Sequence, residues 1–265
     1  MNSIIFAVIS VTIIGVICSC ILSIVSKLMY VKIDDRIILL AGIMPGANCG
    51  ACGYPGCSGY ASALIEENAK ANLCTPGGAA LLEKISEILG VDAGSIEKKT
   101  AVVSCRGDFN TRQIKMEYRG ILTCEAAKQL YGGQNACTYG CLGFGDCKKV
   151  CPSDAICMDD NLARVIPELC TGCGLCVKAC PGKIISVKKA DFPVFVACKN
   201  TEKGAVTRKK CSSGCIACTK CVKECPQNAI AMENNLAVID YSKCSGCGKC
   251  VEVCITKCIL QAANI

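Results

Sequence analysis

Histidine and tryptophan are absent from this sequence, aromatic residues make up only 5%, and proline occurs 8 times in 265 residues. Without histidine there are no Cys2His2 or Cys3His zinc sites, no Rieske-type centres and no histidine-ligated haem. The same absence removes every Ser/His or Cys/His nucleophile pair. With no tryptophan and few rings, no large aromatic core is available, so small cysteine-rich units depend on metal for folding as well as function. A dinucleotide fingerprint is missing too, because GCLGFGD (residues 140–146) follows no strand and its cysteine belongs to a metal run. No catalytic residue is therefore expected.

What the chain has instead is 28 cysteines. Disulfides in a secreted protein would give irregular spacings and a cleaved signal peptide. Here most cysteines are two or three residues apart, which suits small metal centres that several thiolates reach at once. The two remaining classes are all-cysteine zinc and iron–sulfur clusters.

Residues 4–26 carry no charge before Lys27. That length spans a bilayer as a helix, and apolar residues cover every face, which favours lipid over a buried core position. A cleavable signal or lipoprotein signal fits less well, because no basic residue precedes the run. Lys27, Lys32 and Arg36 follow it, so the positive-inside bias places the bulk of the chain on the cytoplasmic side of the cell (inner) membrane, where free thiolates survive. The formal charge of +7 counts neutral thiols. Five [4Fe–4S] sites at about −2 each would bring it to about −3, so no nucleic-acid partner is expected.

After the span, residues 32–47 read as a short connection. NCGACGYPGCSGYASALIEENAKANLC (residues 48–74) then places Cys49, Cys52, Cys57 and Cys74 in C-x2-C-x4-C-x16-C spacing. The long gap reads as a helix capped by Ser58 that returns Cys74 to the other three thiols, and AALLEKISEILG as an amphipathic helix stopped by Gly90. Spacing alone leaves both zinc and iron–sulfur open here. KKTAVVSCRGDF carries one short strand signal.

The rest is an internal repeat. A shift of 74 residues superposes Cys124 on Cys198, Cys137 on Cys211, and CPSDAICMDDNLA on CPQNAIAMENNLA. Within it, Cys170, Cys173, Cys176 and Cys180 form C-x2-C-x2-C-x3-C-P, as do Cys215, Cys218, Cys221 and Cys225. Cys244, Cys247, Cys250 and Cys254 repeat the spacing with Ile255 in place of proline. In such ferredoxin runs three close thiolates hold one cluster and the fourth crosses to the partner cluster. In the first copy Phe144 stands where Cys218 stands in the second, so a thiolate is missing, and Cys137 is the replacement expected from its position four residues before Cys141.

The expected ligand sets are Cys137, Cys141, Cys147 and Cys180, then Cys151, Cys170, Cys173 and Cys176. In the second copy they are Cys215, Cys218, Cys221 and Cys254, then Cys225, Cys244, Cys247 and Cys250. Packing is the expectation for Cys18, Cys20, Cys105, Cys124, Cys157, Cys198, Cys211 and Cys258.

The hydrophobic span, the C-x2-C-x4-C-x16-C stretch, YGCLGFGDCKKVCP and the paired ferredoxin runs together resemble the B subunit of the Rnf ion-translocating electron transport complex. This resemblance implies a [4Fe–4S] cluster on Cys49, Cys52, Cys57 and Cys74. It also implies an iron–sulfur subunit that takes electrons from reduced ferredoxin. Its partners would be the other membrane and peripheral subunits of an Rnf-type complex, which carry flavins, reduce NAD and move sodium ions or protons. The second ferredoxin module exceeds the minimal pattern of that family.

The expected fold is α+β: a transmembrane anchor (1–30), a small 4Fe-4S domain (33–91), a connecting region (92–120) and two tandem ferredoxin-like modules (121–190 and 195–265). Together they carry five [4Fe–4S] clusters. Other readings are the iron–sulfur subunit of a different membrane oxidoreductase and a regulatory protein that binds zinc or a cluster.

Overall fold

The computed structural model describes residues 2–28, 34–91 and 94–262; Lys32 lies outside them. In helix α1 (Asn2–Leu28) the side chains from Val8 to Leu28 are exposed, and this stretch is long and apolar enough to cross a membrane. Two of its hydroxyls are satisfied within the helix, Thr12 Oγ1 donating to the Val8 carbonyl at 2.7 Å and Ser23 Oγ to that of Ser19 at 2.8 Å.

Residues 32–47, read from sequence as a connection, contain helix α2 (Asp35–Ile43). Asp34 caps it by accepting the Arg36 amide, and the Arg36 guanidinium on the same carboxylate draws that acid down to about 2. Ile37, Leu40 and Met44 pack on α3 (Gly56–Glu66) and α4 (Gly78–Leu89), with Tyr60, Leu64, Leu81 and Ile85 completing the core. Ser58 lies inside α3 and does not cap it. That role falls to Asn48, whose Oδ1 accepts the Cys57 amide at 2.8 Å, because Pro55 offers no side-chain acceptor. Helix α4 ends as expected on Gly90, in the left-handed region at φ 66°.

Two similar units follow. In the first, β2 (Ile156–Asp159) and β3 (Leu162–Val165) form a hairpin, and β1 (Lys99–Val103) pairs antiparallel with β4 (Ile185–Lys189). In the second, β6 (Ile230–Glu233) and β7 (Leu236–Ile239) form the hairpin, and β5 (Val194–Val196) pairs with β8 (Ile259–Gln261). The predicted strand in the connecting region is thus the edge partner of β4. Both hairpins turn on two residues at positive φ, Asp160 with Asn161 and Asn234 with Asn235, as a tight two-residue connection requires.

Short helices complete each unit: α5 (Cys124–Gln129), α6 (Asp146–Lys149) and α7 (Leu175–Ala179) in the first, α8 (Gly204–Lys210), α9 (Lys220–Lys223) and α10 (Lys249–Glu252) in the second. Helices α6, α7, α9 and α10 each begin after a left-handed residue, namely Gly145, Gly174, Thr219 and Gly248. These sharp turns end the cysteine loops and direct their amides inward.

Candidate iron–sulfur centres

Three of the cysteine sets surround a space. Cys151, Cys170, Cys173 and Cys176 line a cavity of about 310 Å³, and Cys225, Cys244, Cys247 and Cys250 one of about 320 Å³. Both contain the sequence-derived ligand sets. Backbone amides point at their sulfurs: Ala101 N–H donates to Cys170 Sγ, Ala155 N–H to Cys151 Sγ and Ala229 N–H to Cys225 Sγ, each at 3.3 Å. Burial, then the neighbouring thiols of the same set, push Cys176 and Cys250 up to about 11. Sulfurs held this close favour a cationic core that relieves their mutual repulsion.

A third cavity, of about 400 Å³, is lined by Cys124, Cys141, Cys147 and Cys180. Cys147 is pushed up to about 12 by burial and then by Cys141, Cys124 and Cys180 around it. The fourth thiol is Cys124, at the start of α5, whereas Cys137 lines a different cavity. Cys137, expected from spacing in this set, thus lies apart from it. Thr123 caps α5 by accepting the Ala126 amide, and Asp146 accepts the Glu125 amide at 3.1 Å, so the helix start is pinned beside the loop that lacks a thiol at Phe144. Phe144 itself packs against Tyr118, ring centroids 5.5 Å apart and planes tilted by 60°.

In the second unit, burial and then Cys215, Cys254 and Cys218 push Cys221 up to about 11, so these four form one neighbourhood. Cys258, expected to pack, does more than fill space. Its buried sulfur is 3.6 Å from Cys254 Sγ, and the hydrogen bond between them draws Cys254 down to about 5. At the corresponding place in the first unit stands Ile184.

The N-terminal set also gathers. Cys49 and Cys74 are buried, and Cys74 is raised by burial and then by Cys52, Cys57 and Cys49 beside it. Tyr60 supports the return of Cys74 by donating to the Lys70 carbonyl at 2.6 Å and accepting the Leu73 amide.

Cys105, Cys137, Cys198 and Cys211 line one further cavity of about 300 Å³. Sequence spacing missed this grouping, which joins residues from both units. Cys157 faces the Arg164 carbonyl across the β2–β3 hairpin, and Cys18 and Cys20 are exposed on α1.

Tetrahedral zinc needs its sulfurs about 3.8 Å apart, given a Zn–S bond near 2.3 Å. Among the described residues no three Cys, Asp or Glu side chains form a group suited to a single metal ion. Four cysteines lining one space, with amides donating to sulfur, fit a polynuclear core that brings its own sulfide.

Comparison with known families agrees with this chemistry. Residues 44–76 match the Fe-S cluster family, 163–186 the 4Fe-4S binding domain and 207–255 the 4Fe-4S dicluster domain. The chain is 42% identical over 260 residues to the B subunit of the proton-translocating ferredoxin:NAD(+) oxidoreductase complex of Clostridium ljungdahlii, covering 97% of this chain and 91% of the relative. It is 43% identical over 239 residues to the B subunit of the Na(+)-translocating ferredoxin:NAD(+) oxidoreductase complex of Acetobacterium woodii, covering 90% and 72%. With the B subunit of the ion-translocating oxidoreductase complex of Methanosarcina acetivorans it shares 37% over 239 residues, 90% of each chain.

Proposed function

We propose, because the chain belongs to the B-subunit family of Rnf ion-translocating ferredoxin:NAD(+) oxidoreductase complexes, that it carries electrons from reduced ferredoxin to flavin-bearing membrane subunits. It is an iron–sulfur electron-relay subunit of an oxidoreductase complex. The gathering of cysteines around cavities of similar size is the observation that carries the reading.

In this proposal five sets hold [4Fe–4S] clusters: Cys49, Cys52, Cys57 and Cys74; Cys124, Cys141, Cys147 and Cys180; Cys151, Cys170, Cys173 and Cys176; Cys215, Cys218, Cys221 and Cys254; Cys225, Cys244, Cys247 and Cys250. They lie in one small domain and two tandem ferredoxin-like modules. Such a cluster stores and releases one electron at a potential set by its hydrogen bonds, charge and burial. The chain's part is to hold the sulfurs, aim amides at them and exclude water. Cys218 and Cys247 are exposed, so the second module presents ligand loops to a soluble donor such as ferredoxin. Helix α1 anchors the chain in the cell membrane, and the basic residues after it keep the cluster-bearing part on the cytoplasmic side.

The test is iron and sulfide quantification with low-temperature EPR of the anaerobically reconstituted full chain. Cys74→Ala is expected to lose about four irons and to stop transfer to the membrane subunits while the ferredoxin signals persist. Unchanged iron content would remove Cys74 from the ligand set.

A further inference from the structure

The cavity holding Cys105, Cys137, Cys198 and Cys211 lies where the two units meet, and its four cysteines are related in pairs. Val103 pairs with Ile185 in the first unit, and Val196 with Ile259 in the second. Just beyond, Ser104 N–H donates to the Ile184 carbonyl and Ala197 N–H to the Cys258 carbonyl, both at 2.7 Å. One residue later stand Cys105 and Cys198. Cys105 Sγ accepts the Cys141 amide at 3.4 Å, and Cys198 Sγ the Cys215 amide at 3.3 Å. Cys105 is therefore the structural mate of Cys198. Cys137 and Cys211 make the second pair, each four residues before Cys141 or Cys215.

The seam is built in the same reciprocal way. Arg106, after Cys105, donates from its guanidinium to the Lys257 carbonyl, and Lys199, after Cys198, donates from its ammonium to that of Lys183. Lys183 and Lys257 are themselves repeat mates, so the contact is self-complementary as in a twofold dimer. Main-chain bonds reinforce it: Gln113 N–H to the Lys210 carbonyl and Ser212 N–H to the Thr111 carbonyl, both at 2.9 Å.

The lining leaves room for a shared occupant. A Cβ on Gly107 would stand 3.2 Å from Cys211 Sγ and 3.8 Å from Cys105 Sγ; one on Gly140 would stand 3.5 Å from Cys105 Sγ and 3.8 Å from Cys137 Sγ. Asn200, 1% exposed, offers its Nδ2 to Cys137 Sγ at 3.7 Å. At about 300 Å³ the space matches the cavities of the ferredoxin loops.

We propose that Cys105, Cys137, Cys198 and Cys211 ligate a sixth [4Fe–4S] cluster, two sulfurs from each unit, at the seam between the modules. This rests on the iron–sulfur reading of the chain given above. One backbone amide links the site to each neighbouring set, through Cys141 on one side and Cys215 on the other. It therefore occupies the position of a one-electron stepping point between the two modules.

The test compares the anaerobically reconstituted full chain with a Cys105→Ser, Cys198→Ser double variant for iron, sulfide and zinc. Wild type is expected to hold about 24 irons and the variant about 20, with the EPR signals of the other clusters intact. An equal iron content in both, or one zinc per chain lost in the variant, overturns the proposal. A wild-type total well below about 20 counts against the five sets of the preceding subsection, whereas a loss of about four between wild type and variant bears on this one alone. Native mass spectrometry of wild type covers the case in which the variant does not fold. A bound mass of six clusters supports the seam site; five clusters, with all four seam thiols open to alkylation, overturns it.

Discussion

Lys178 Nζ donates a hydrogen bond of 2.7 Å to the carbonyl oxygen of Cys49. Lys178 lies on α7 between Cys176 and Cys180, which belong to the two cysteine sets of the first module, while Cys49 opens the N-terminal set. One side chain thus ties three cysteine neighbourhoods together, and Gly50, at φ 69°, supplies the left-handed turn just after Cys49.

Replacing Lys178 by Met keeps the aliphatic stem and removes the donor. The expected result is unchanged iron content and slower electron exchange between the N-terminal domain and the first module, read by rapid-freeze EPR after a reducing pulse. Equal rates would show that the contact only positions the domain.

Cys124 and Cys137 make opposite predictions. Cys124→Ala is expected to remove the cluster bound with Cys141, Cys147 and Cys180, and adding Phe144→Cys restores the missing thiolate of the loop and the lost iron of about four atoms. Iron analysis of the two variants decides it. Failure of the second change to recover iron would indicate that the α5 position, rather than the thiol count, is decisive.

The sulfur of Cys258 hydrogen-bonds the sulfur of Cys254, and such a bond favours the more negatively charged, reduced state of a cluster held by that sulfur. Cys258→Ile, which copies Ile184, is expected to leave iron content unchanged and to lower the midpoint potential of that one cluster by tens of mV, about 59 mV being tenfold in equilibrium constant for one electron. A spectroelectrochemical titration of wild type and variant measures the shift.

Arg112 is 7% exposed, donates from Nη1 to the Cys141 carbonyl at 2.6 Å, and leaves Nε and Nη2 without partners. Its charge therefore acts on the cluster space beside it. Arg112→Gln is expected to lower the potential of the cluster on Cys141 and also to destabilise the fold by a few kcal/mol, as the loss of a buried hydrogen-bonded cation does. Potentiometry and denaturant unfolding of the loaded protein separate the two effects.

Much of this was legible because ferredoxin loops are local. The spacing of Cys170, Cys173 and Cys176 specifies a turn around one centre whatever the remainder of the chain does, and Gly90 marks a helix end by its own backbone freedom. What escaped depends on distant pairing. The shift of 74 residues superposed Cys124 on Cys198, yet the spatial mate of Cys198 is Cys105, at an offset of 93. The first unit carries extra chain between Cys105 and Cys137, and an ungapped shift hides it. Cys105 gave no signal alone, because Cys198 and Cys211 come from the other unit and Cys137 lies beyond the extra chain. Helix α2 was hidden for another reason: its nine residues are too few for a clear period, and its stability comes from packing Leu40 on α3 and α4.

The reciprocal grip of Arg106 on Lys257 and of Lys199 on Lys183 makes the two modules equivalent to a symmetric pair spliced into a single polypeptide. Splicing fixes the ratio of the halves at one to one and frees each to drift separately. Phe144 opposite Cys218, and Ile184 opposite Cys258, are the marks of that independence: two copies of one scaffold, tuned apart.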